Sequence, residues 1–225
     1  MQAVIFDFDG VIVDTERLHY EALNRVLLPL GLGISWDEYV QTYIGFDDRG
    51  VFMNRFQKDG RTLAAGDLAK LVDTKAGMFH RMVSVETPTP FPGVVELIRH
   101  LSGRIPLALC SGALRSDIEP VFQGLQLHGV FDLVVTADDV PMSKPDPTCY
   151  RLAVERLSAH HGRALVASAC LAIEDTPAGI TAAKGAGLKV LALTNSYDQA
   201  YLGLADAVQE TLVDMTLERL QRIVK

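Results

Sequence analysis

The chain has 225 residues, 48% of them hydrophobic, which is enough to bury the core of one large domain or of a domain with a smaller companion. Its 28 acidic and 21 basic residues give a formal net charge of −7, which argues against a nucleic acid as partner. No stretch approaches the length of a membrane span, and Asp7 interrupts the N-terminal apolar run, so we expect neither a membrane anchor nor a signal peptide. The cysteines lack metal-type spacing, which predicts reduced, mostly buried thiols in a cytoplasmic protein; they are Cys110, Cys149 and Cys170.

The first predicted element is a short apolar strand over residues 3–6, and it ends at a pair of acids. Strand alternation puts Asp7 and Asp9 on the same side of the chain, where the backbone turns at Gly10. Open α/β sheets build their sites at the carboxyl ends of strands. Two acids this close need a cation between them or a shared proton. Taken alone, such a pair is more often a solvated turn.

Residues 15–87 have a helical pattern without a strand signal. Apolar residues recur at every fourth position of the first helix, and Ser35 begins a capping box for a second one. Gly45 and the acids after it predict a break and a restart, and Asp67 begins a long helix. Several consecutive helices do not form a βαβ repeat, so this segment is predicted to be a helical insertion.

Strand and helix patterns alternate after a stiff connector, residues 88–92, which holds three prolines in five positions. This alternation predicts a doubly wound parallel sheet whose first strand is the N-terminal one. The predicted strands are Pro106–Cys110, Leu133–Thr136, Cys170–Ile173 and Lys189–Leu193, and the predicted helices begin at Val94, Leu114, Thr148 and Pro177.

The predicted fold is therefore an α/β fold with an inserted α-helical cap. Residues 1–14 and 88–225 would form the core, which has a Rossmann-like sheet, and residues 15–87 would form the cap. The chain crosses between the two units twice, which suits a lid that moves on hinges near residues 14–16 and 88–92.

Three later strand ends also bring polar residues suited to phosphate. Ser111 and Gly112 precede a helix, so a hydroxyl, backbone amides and the helix dipole favour phosphate oxygens, although a plain helix cap has the same pattern. Lys144, between two prolines, could neutralise phosphate or be an ordinary surface lysine. Glu174 and Asp175 could supply oxygen ligands for Mg²⁺ or balance the dipole of the next helix. The four strand ends together predict a phosphate-handling site.

These motifs, in this order, resemble motifs one to four of the haloacid dehalogenase superfamily, and the resemblance spans nearly the whole chain. The segment from Asp14 to His19 and the residues after Thr176 further resemble the β-phosphoglucomutase-like subfamily of phosphatases and mutases. The second aspartate of the first motif, Asp9, is what phosphatases and mutases carry and the dehalogenase branch lacks. The motif residues are Asp7, Asp9 and Gly10; Ser111 and Gly112; Lys144 and Pro145; Glu174 and Asp175.

The resemblance implies a role for each motif residue. Asp7 would attack phosphorus and form an aspartyl-phosphate, and Asp9 would act as general acid and then general base. Mg²⁺ would be held by Asp7, the backbone carbonyl of Asp9, and Asp175. Glu174 would either bind the ion directly or contact the groups that bind it. The residues implied to hold the phosphoryl oxygens are Gly10, Ser111, Gly112 and Lys144.

Three residues of the predicted cap are candidates for substrate contacts. Lys75 lies on the apolar stripe of its helix, so it either extends to solvent or points into the cleft between the two units. His19 is either a structural histidine or a substrate contact. Arg49 lies about one position away from where the mutase branch has a phosphate-binding arginine.

The expected function is Mg²⁺-dependent hydrolysis of a small phosphorylated metabolite of the sugar-phosphate kind by a monomeric enzyme. The alternative is a β-phosphoglucomutase-type mutase, in which a substrate hydroxyl replaces water. A receiver-type signalling domain also combines acids, a hydroxyl and a lysine, but it has no helical insertion after its first strand and is much shorter. An inactive binding protein would be expected to have lost a motif residue, and none is missing.

Overall fold

The computed structural model describes residues 1–44, 46–85 and 88–224. Six β-strands organise this part of the chain, namely β1 Ala3–Phe6, β2 Leu107–Cys110, β3 Leu133–Val135, β4 Cys170–Glu174, β5 Lys189–Leu193 and β6 Ala207–Gln209. They form a parallel sheet in the order β3-β2-β1-β4-β5-β6. The sheet extends in both directions from β1, so the predicted doubly wound sheet is confirmed.

Nine α-helices lie in the described ranges. Their bounds are α1 Glu16–Leu27, α2 Trp36–Thr42, α3 Asp48–Lys58, α4 Ala65–Val85, α5 Val94–Leu101, α6 Arg115–Leu125, α7 Thr148–His160, α8 Pro177–Gly185 and α9 Leu217–Ile223. Helices α1–α4 come between β1 and β2.

The predicted helix starts agree with the structure to within two residues. The Ser35 side chain accepts a hydrogen bond from the amide of Glu38 at 3.1 Å and so caps α2 as predicted. The long helix begins two residues before the expected Asp67. The predicted break at Gly45 lies outside the described residues. Strand β6 and helix α9 were not predicted, because they are only three and seven residues long and carry little periodicity.

Strand β1 is completely buried and divides the apolar core between the two faces of the sheet. Val4 and Phe6 belong to one cluster, and Ala3 and Ile5 belong to the other. This is the period of two that a strand covered on both faces requires. Each fully buried large side chain contributes about 1.5–3 kcal/mol of transfer free energy. The central position of β1 therefore fixes where the residues that follow it lie.

The inserted helices α1–α4 have an apolar cluster of their own. Its fully or almost fully buried members include Leu27, Leu32, Tyr43 and Phe52. The division into a core of residues 1–14 and 88–225 and a cap of residues 15–87 stays a prediction, and residue 87 lies outside the described part.

All three cysteines are buried and free, as predicted. No helix in the described ranges has both the length and the apolar character needed to cross a membrane.

Candidate active site

The carboxyl edge of the sheet brings three buried acids together. Because β1 and β4 are neighbours, Asp7 lies beside Glu174 and Asp175, and one carboxylate oxygen from each lies within 4.8 Å of the others. Lys144 enters this group from the loop before α7. Its Nζ donates to Asp7 Oδ1 at 2.7 Å, to Glu174 Oε1 at 2.6 Å and to the carbonyl of Cys110 at 3.1 Å. The structure thus joins three of the four predicted motifs around one ammonium group.

Glu174 is already satisfied by protein donors. Besides Lys144, the Tyr150 hydroxyl donates to its Oε1 at 2.7 Å, and the Asp175 amide donates to its Oε2 at 3.1 Å. Helix α8 approaches closely because Gly179 has no side chain; a Cβ there would lie 2.0 Å from the Glu174 carboxylate. These contacts favour the indirect alternative for Glu174, in which it orients Lys144.

Asp175 is the acid with spare capacity for a ligand. It is fully buried, its Oδ2 accepts from the Ser196 hydroxyl, and its Oδ1 has no hydrogen-bond partner among the described residues. Burial, together with repulsion from Glu174, raises the pKa of Asp7 and of Asp175 well above the ordinary carboxyl value. A hard divalent cation would relieve this repulsion and satisfy the orphaned oxygen, so this all-oxygen donor set fits Mg²⁺.

The second aspartate, Asp9, faces a chain of polar contacts from the inserted helices. Its Oδ1 accepts from the Thr15 hydroxyl and lies 3.3 Å from His19 Nε2. Lys75 Nζ lies 2.6 Å from His19 Nδ1 and 2.9 Å from Asp48 Oδ1. Burial alone would raise the pKa of Asp9, but the hydrogen bonds from His19 and from the Thr15 hydroxyl hold it below its ordinary value.

The position of Lys75 decides between the two orientations that its sequence allowed. Its side chain is fully buried on α4 and points to His19, so it does not extend to solvent. Since an ammonium can only donate, His19 Nδ1 must accept, which leaves the Nε2 hydrogen to be donated to Asp9. The imidazole also stacks on Phe79 with ring centroids 4.2 Å apart. Its contacts with Lys75, Asp9 and Phe79 therefore fix one tautomer and one position of the His19 ring.

The remaining predicted residues occupy different positions around the pocket. Gly112 lines the pocket, whereas Ser111 is buried with its Oγ accepting from the Ala113 amide at 2.9 Å. Gly10 has φ +78°, and a Cβ there would come 1.9 Å from Asp175 Oδ2. Glycine at this position therefore makes room for Asp175. Arg49 is exposed at the pocket wall.

Several residues of the site were not predicted. Asn195 donates to the carbonyl of Gly10 at 2.7 Å, and Ser196 binds Asp175. Both follow β5, so the polar strand-end pattern used for the other four motifs could have found them. Tyr150 and Asp48 had no such signal, because only the folded chain brings α7 and α3 to this edge.

A pocket separates the inserted helices from the sheet edge, and contacts across it keep it small. Its volume is ≈ 80 Å³, below the ~300–1,000 Å³ usual for ligand pockets. The Ser143 hydroxyl donates to Asp47 Oδ2 at 2.6 Å, and His80 Nε2 lies 3.0 Å from Asp117 Oδ1. These contacts and the Asp9–His19 pair link the two sides.

Comparison with known proteins identifies a family. The family model described as "Haloacid dehalogenase-like hydrolase" matches residues 4–193, which confirms the resemblance of the motifs. The chain is 31% identical over 191 residues to the phosphorylated carbohydrates phosphatase of Thermotoga maritima, covering 84% of this chain and 83% of that protein. It is also similar to CbbY from Rhodobacter sphaeroides, whose crystal structure is a complex with phosphate, with a TM-score of 0.84, 25% identity and coverage of 98% and 99%. The β-phosphoglucomutase of Clostridium difficile, at 22% identity, TM-score 0.86 and coverage of 100% and 97%, shows the fold alone.

We predict that Asp175→Asn raises the melting temperature of the metal-free protein at neutral pH. Burial raises the folded-state pKa of Asp175 above its ordinary 3.8, so the stability linked to this group is complete below that value and is lost as pH rises through the folded-state pKa. Calorimetry in chelator should show that the melting temperature falls less with rising pH in the variant than in the unmodified protein. Each 1 kcal/mol added to the free energy of unfolding should raise the melting temperature by roughly 2–4 °C.

The control for this prediction is Asp198→Asn, which changes an exposed aspartate in the segment that follows β5. It should behave like the unmodified protein. Added Mg²⁺ should raise the melting temperature of the unmodified protein and of the control more than that of Asp175→Asn. Equal stabilisation of all three by Mg²⁺ would contradict a role for Asp175 in holding the ion.

Proposed function

We propose that this chain, which belongs to the haloacid dehalogenase-like hydrolase family, is a Mg²⁺-dependent phosphatase that acts on a small phosphorylated metabolite of the sugar-phosphate class. The observation that carries the proposal is the single ammonium of Lys144 bound to Asp7 and Glu174, 2.7 and 2.6 Å away, beside a second aspartate, Asp9. The name of the Thermotoga maritima relative, a phosphorylated carbohydrates phosphatase, supports the substrate class.

In the first step, Asp7 attacks phosphorus. A bond forms between its carboxylate oxygen and phosphorus while the bond from phosphorus to the ester oxygen breaks. Lys144 holds Asp7 in one orientation and offsets charge on the phosphoryl oxygens, and Gly112 on the pocket wall would contribute its backbone amide. Asp9, in its protonated form, gives its proton to the leaving oxygen.

In the second step, water replaces the leaving group. Asp9, now ionised, takes a proton from the water, which attacks the phosphorus of the aspartyl-phosphate and restores Asp7. Thr15 and His19 stabilise the Asp9 carboxylate that forms when Asp9 gives up its proton in the first step, and they hold it in place for the second. Lys75 keeps His19 in the donating tautomer.

Asp7, Asp175 and the backbone carbonyl of Asp9 would hold the metal ion. When bound, Mg²⁺ supplies positive charge that offsets the charge of the transferring phosphoryl group. Glu174 is better suited to orienting Lys144, since both of its oxygens already accept hydrogen bonds from the protein.

The inserted helices would open to admit substrate. A pocket of ≈ 80 Å³ has no room for a sugar phosphate, so the contacts Ser143–Asp47 and His80–Asp117 must separate first. Closure then brings His19 back to Asp9 and excludes water from the first step. We propose residues 15–87 as the moving cap, in a monomer, with hinges near residues 14–16 and 88–92.

We predict that the protein releases phosphate from sugar monophosphates in Mg²⁺ and that Asp7→Asn lowers turnover by several orders of magnitude, because the attacking charge is lost. Phosphate release from a panel of phosphorylated metabolites measures this. The matched control Asp37→Asn, an exposed aspartate of α2, should keep full activity. Substantial activity of Asp7→Asn, or undiminished turnover in chelator, would overturn the proposal.

We predict that Lys75→Met lowers kcat by about tenfold or more. This loss is part of the roughly 10²–10⁴-fold rate enhancement that general acid–base catalysis supplies. The substitution removes the donor that fixes the His19 tautomer. The control is Lys70→Met on the same helix, where the lysine is exposed and pairs with Asp67 at 3.3 Å. Steady-state kinetics of both variants should show a loss in kcat confined to Lys75→Met; equal kcat values would argue against this role.

We predict that hydrolysis dominates over mutase chemistry. A mutase must grip a second phosphate with a cation, and here Lys75 is bound by Asp48 and His19 while Arg49 is exposed. The assay supplies β-glucose 1-phosphate with a trace of the 1,6-bisphosphate and follows both products. Free phosphate should exceed glucose 6-phosphate; the reverse would favour the mutase alternative.

A further inference from the structure

The lining of the pocket carries more negative than positive charge. Among the described residues that line the pocket, the permanent cations are Arg49 and Lys144, and Lys144 is engaged by Asp7 and Glu174. The six carboxylates of the lining are Asp7, Asp9, Glu16, Asp47, Asp48 and Asp117. A second anionic group of a substrate would meet repulsion along most of this wall.

Most of these carboxylates already have partners. Asp9 accepts from Thr15 and contacts His19. Asp48 lies 2.9 Å from Lys75 Nζ. Asp47 accepts from the Gly50 amide at 2.8 Å and from the Ser143 hydroxyl. The two carboxylates left to consider are Glu16 and Asp117.

Asp117 is a buried carboxylate with unused acceptors. It lies in the first turn of α6 and is only 1% exposed, and neither of its oxygens makes a hydrogen bond with any residue that the structure describes. His80 Nε2 comes within 3.0 Å of Oδ1, but without the alignment of a hydrogen bond. Leaving a buried carboxylate unpaired is costly, so a donor from outside the chain is the natural partner.

Glu16, in the same pocket, has a carboxylate oxygen that could accept a weaker hydrogen bond from a neutral donor such as a hydroxyl. The Tyr39 hydroxyl donates to its Oε2 at 2.7 Å, which leaves Oε1 for a further donor. Apolar side chains make up much of the remaining wall, namely Leu23, Val51, Val72 and Leu114. The wall as a whole suits a leaving group with an apolar face, hydroxyls and at least one strong donor.

We propose, on the basis of the phosphatase function proposed above, that the substrate is a monophosphate whose leaving group carries a protonated amine, which Asp117 binds, while Glu16 accepts from a hydroxyl. Amino-sugar monophosphates are the chemical class that fits. An ammonium is preferred over a hydroxyl because a charged donor gives the stronger hydrogen bond to a buried carboxylate. Burial also raises the pKa of Asp117, so its ionised form gains from a cation beside it.

Arg49 bears on how the pocket would hold a second phosphate. Its side chain is exposed at the pocket wall, so an ion pair with a second phosphate would contribute little binding free energy. Bisphosphates should therefore be poor substrates.

The test compares kcat/KM for matched pairs that differ only in amine against hydroxyl: glucosamine 6-phosphate against glucose 6-phosphate, and glucosamine 1-phosphate against glucose 1-phosphate. We expect the amine to win at least one pair by about tenfold, which corresponds to about 1.4 kcal/mol. Glucose 1,6-bisphosphate should be slower than the preferred amine. Preference for the hydroxyl member of both pairs, or for the bisphosphate, would overturn the inference.

Asp117→Asn should lower the ratio of amine to hydroxyl rates at least several-fold, because it removes the charge that selects the ammonium. The ratio is taken within one variant, so partial loss of folded protein cancels. The control is Glu119→Gln, an exposed acid on the same helix, which should keep the unmodified ratio. An unchanged ratio in Asp117→Asn would contradict the assignment.

A binding measurement on the unmodified protein separates the two proposals. With Mg²⁺ and inorganic phosphate present, glucosamine should raise the melting temperature more than glucose, and Asp117→Asn should remove the difference. If no monoester is hydrolysed, the phosphatase function fails while this measurement still decides the inference. Equal stabilisation by both sugars would contradict it even in an active phosphatase.

Discussion

The interaction on which the site depends is the ammonium of Lys144 among buried carboxylates. Burial would lower the pKa of Lys144, but the charges of Asp7 and Glu174 raise it well above its ordinary value. The charge and the hydrogen bond of Lys144 in turn favour the ionised form of Asp7, against the effects of burial and of the Glu174 charge on its pKa. One cation does not balance three acids, and Asp175 is left with an orphaned buried oxygen. This excess of negative charge makes the cluster a candidate metal site.

The topology of the sheet makes this cluster possible. Strand β1 pairs with β2 on one side and β4 on the other, so Asp7 and Asp175 reach the same edge although they are far apart in the chain. The winding reverses at β1, which opens a crevice there. Glycines at positions 10 and 179 then allow backbone to approach the carboxylates of Asp175 and Glu174. The site therefore rests on rigid strands and close packing.

The inserted helices supply a second layer of control. Lys75, held by Asp48, directs His19 onto Asp9, so one face of α4 is connected by polar contacts to the second aspartate of the site. Asp117 belongs to α6 beside the sheet, yet it contacts His80 of α4. The contact between α4 and α6 thus connects the inserted helices to the sheet edge.

The sequence by itself determined the fold and the identity of the motifs, because hydrophobic periodicity and strand-end polar residues are local patterns. Strand β5 was predicted with its observed bounds, and Asp7, Lys144 and Glu174 do meet. Only the tertiary structure decided the orientation of Lys75, which its helical stripe left open. Contacts such as Tyr150 with Glu174 depend on how helices pack onto the sheet, and packing between distant segments leaves no periodic trace in the chain.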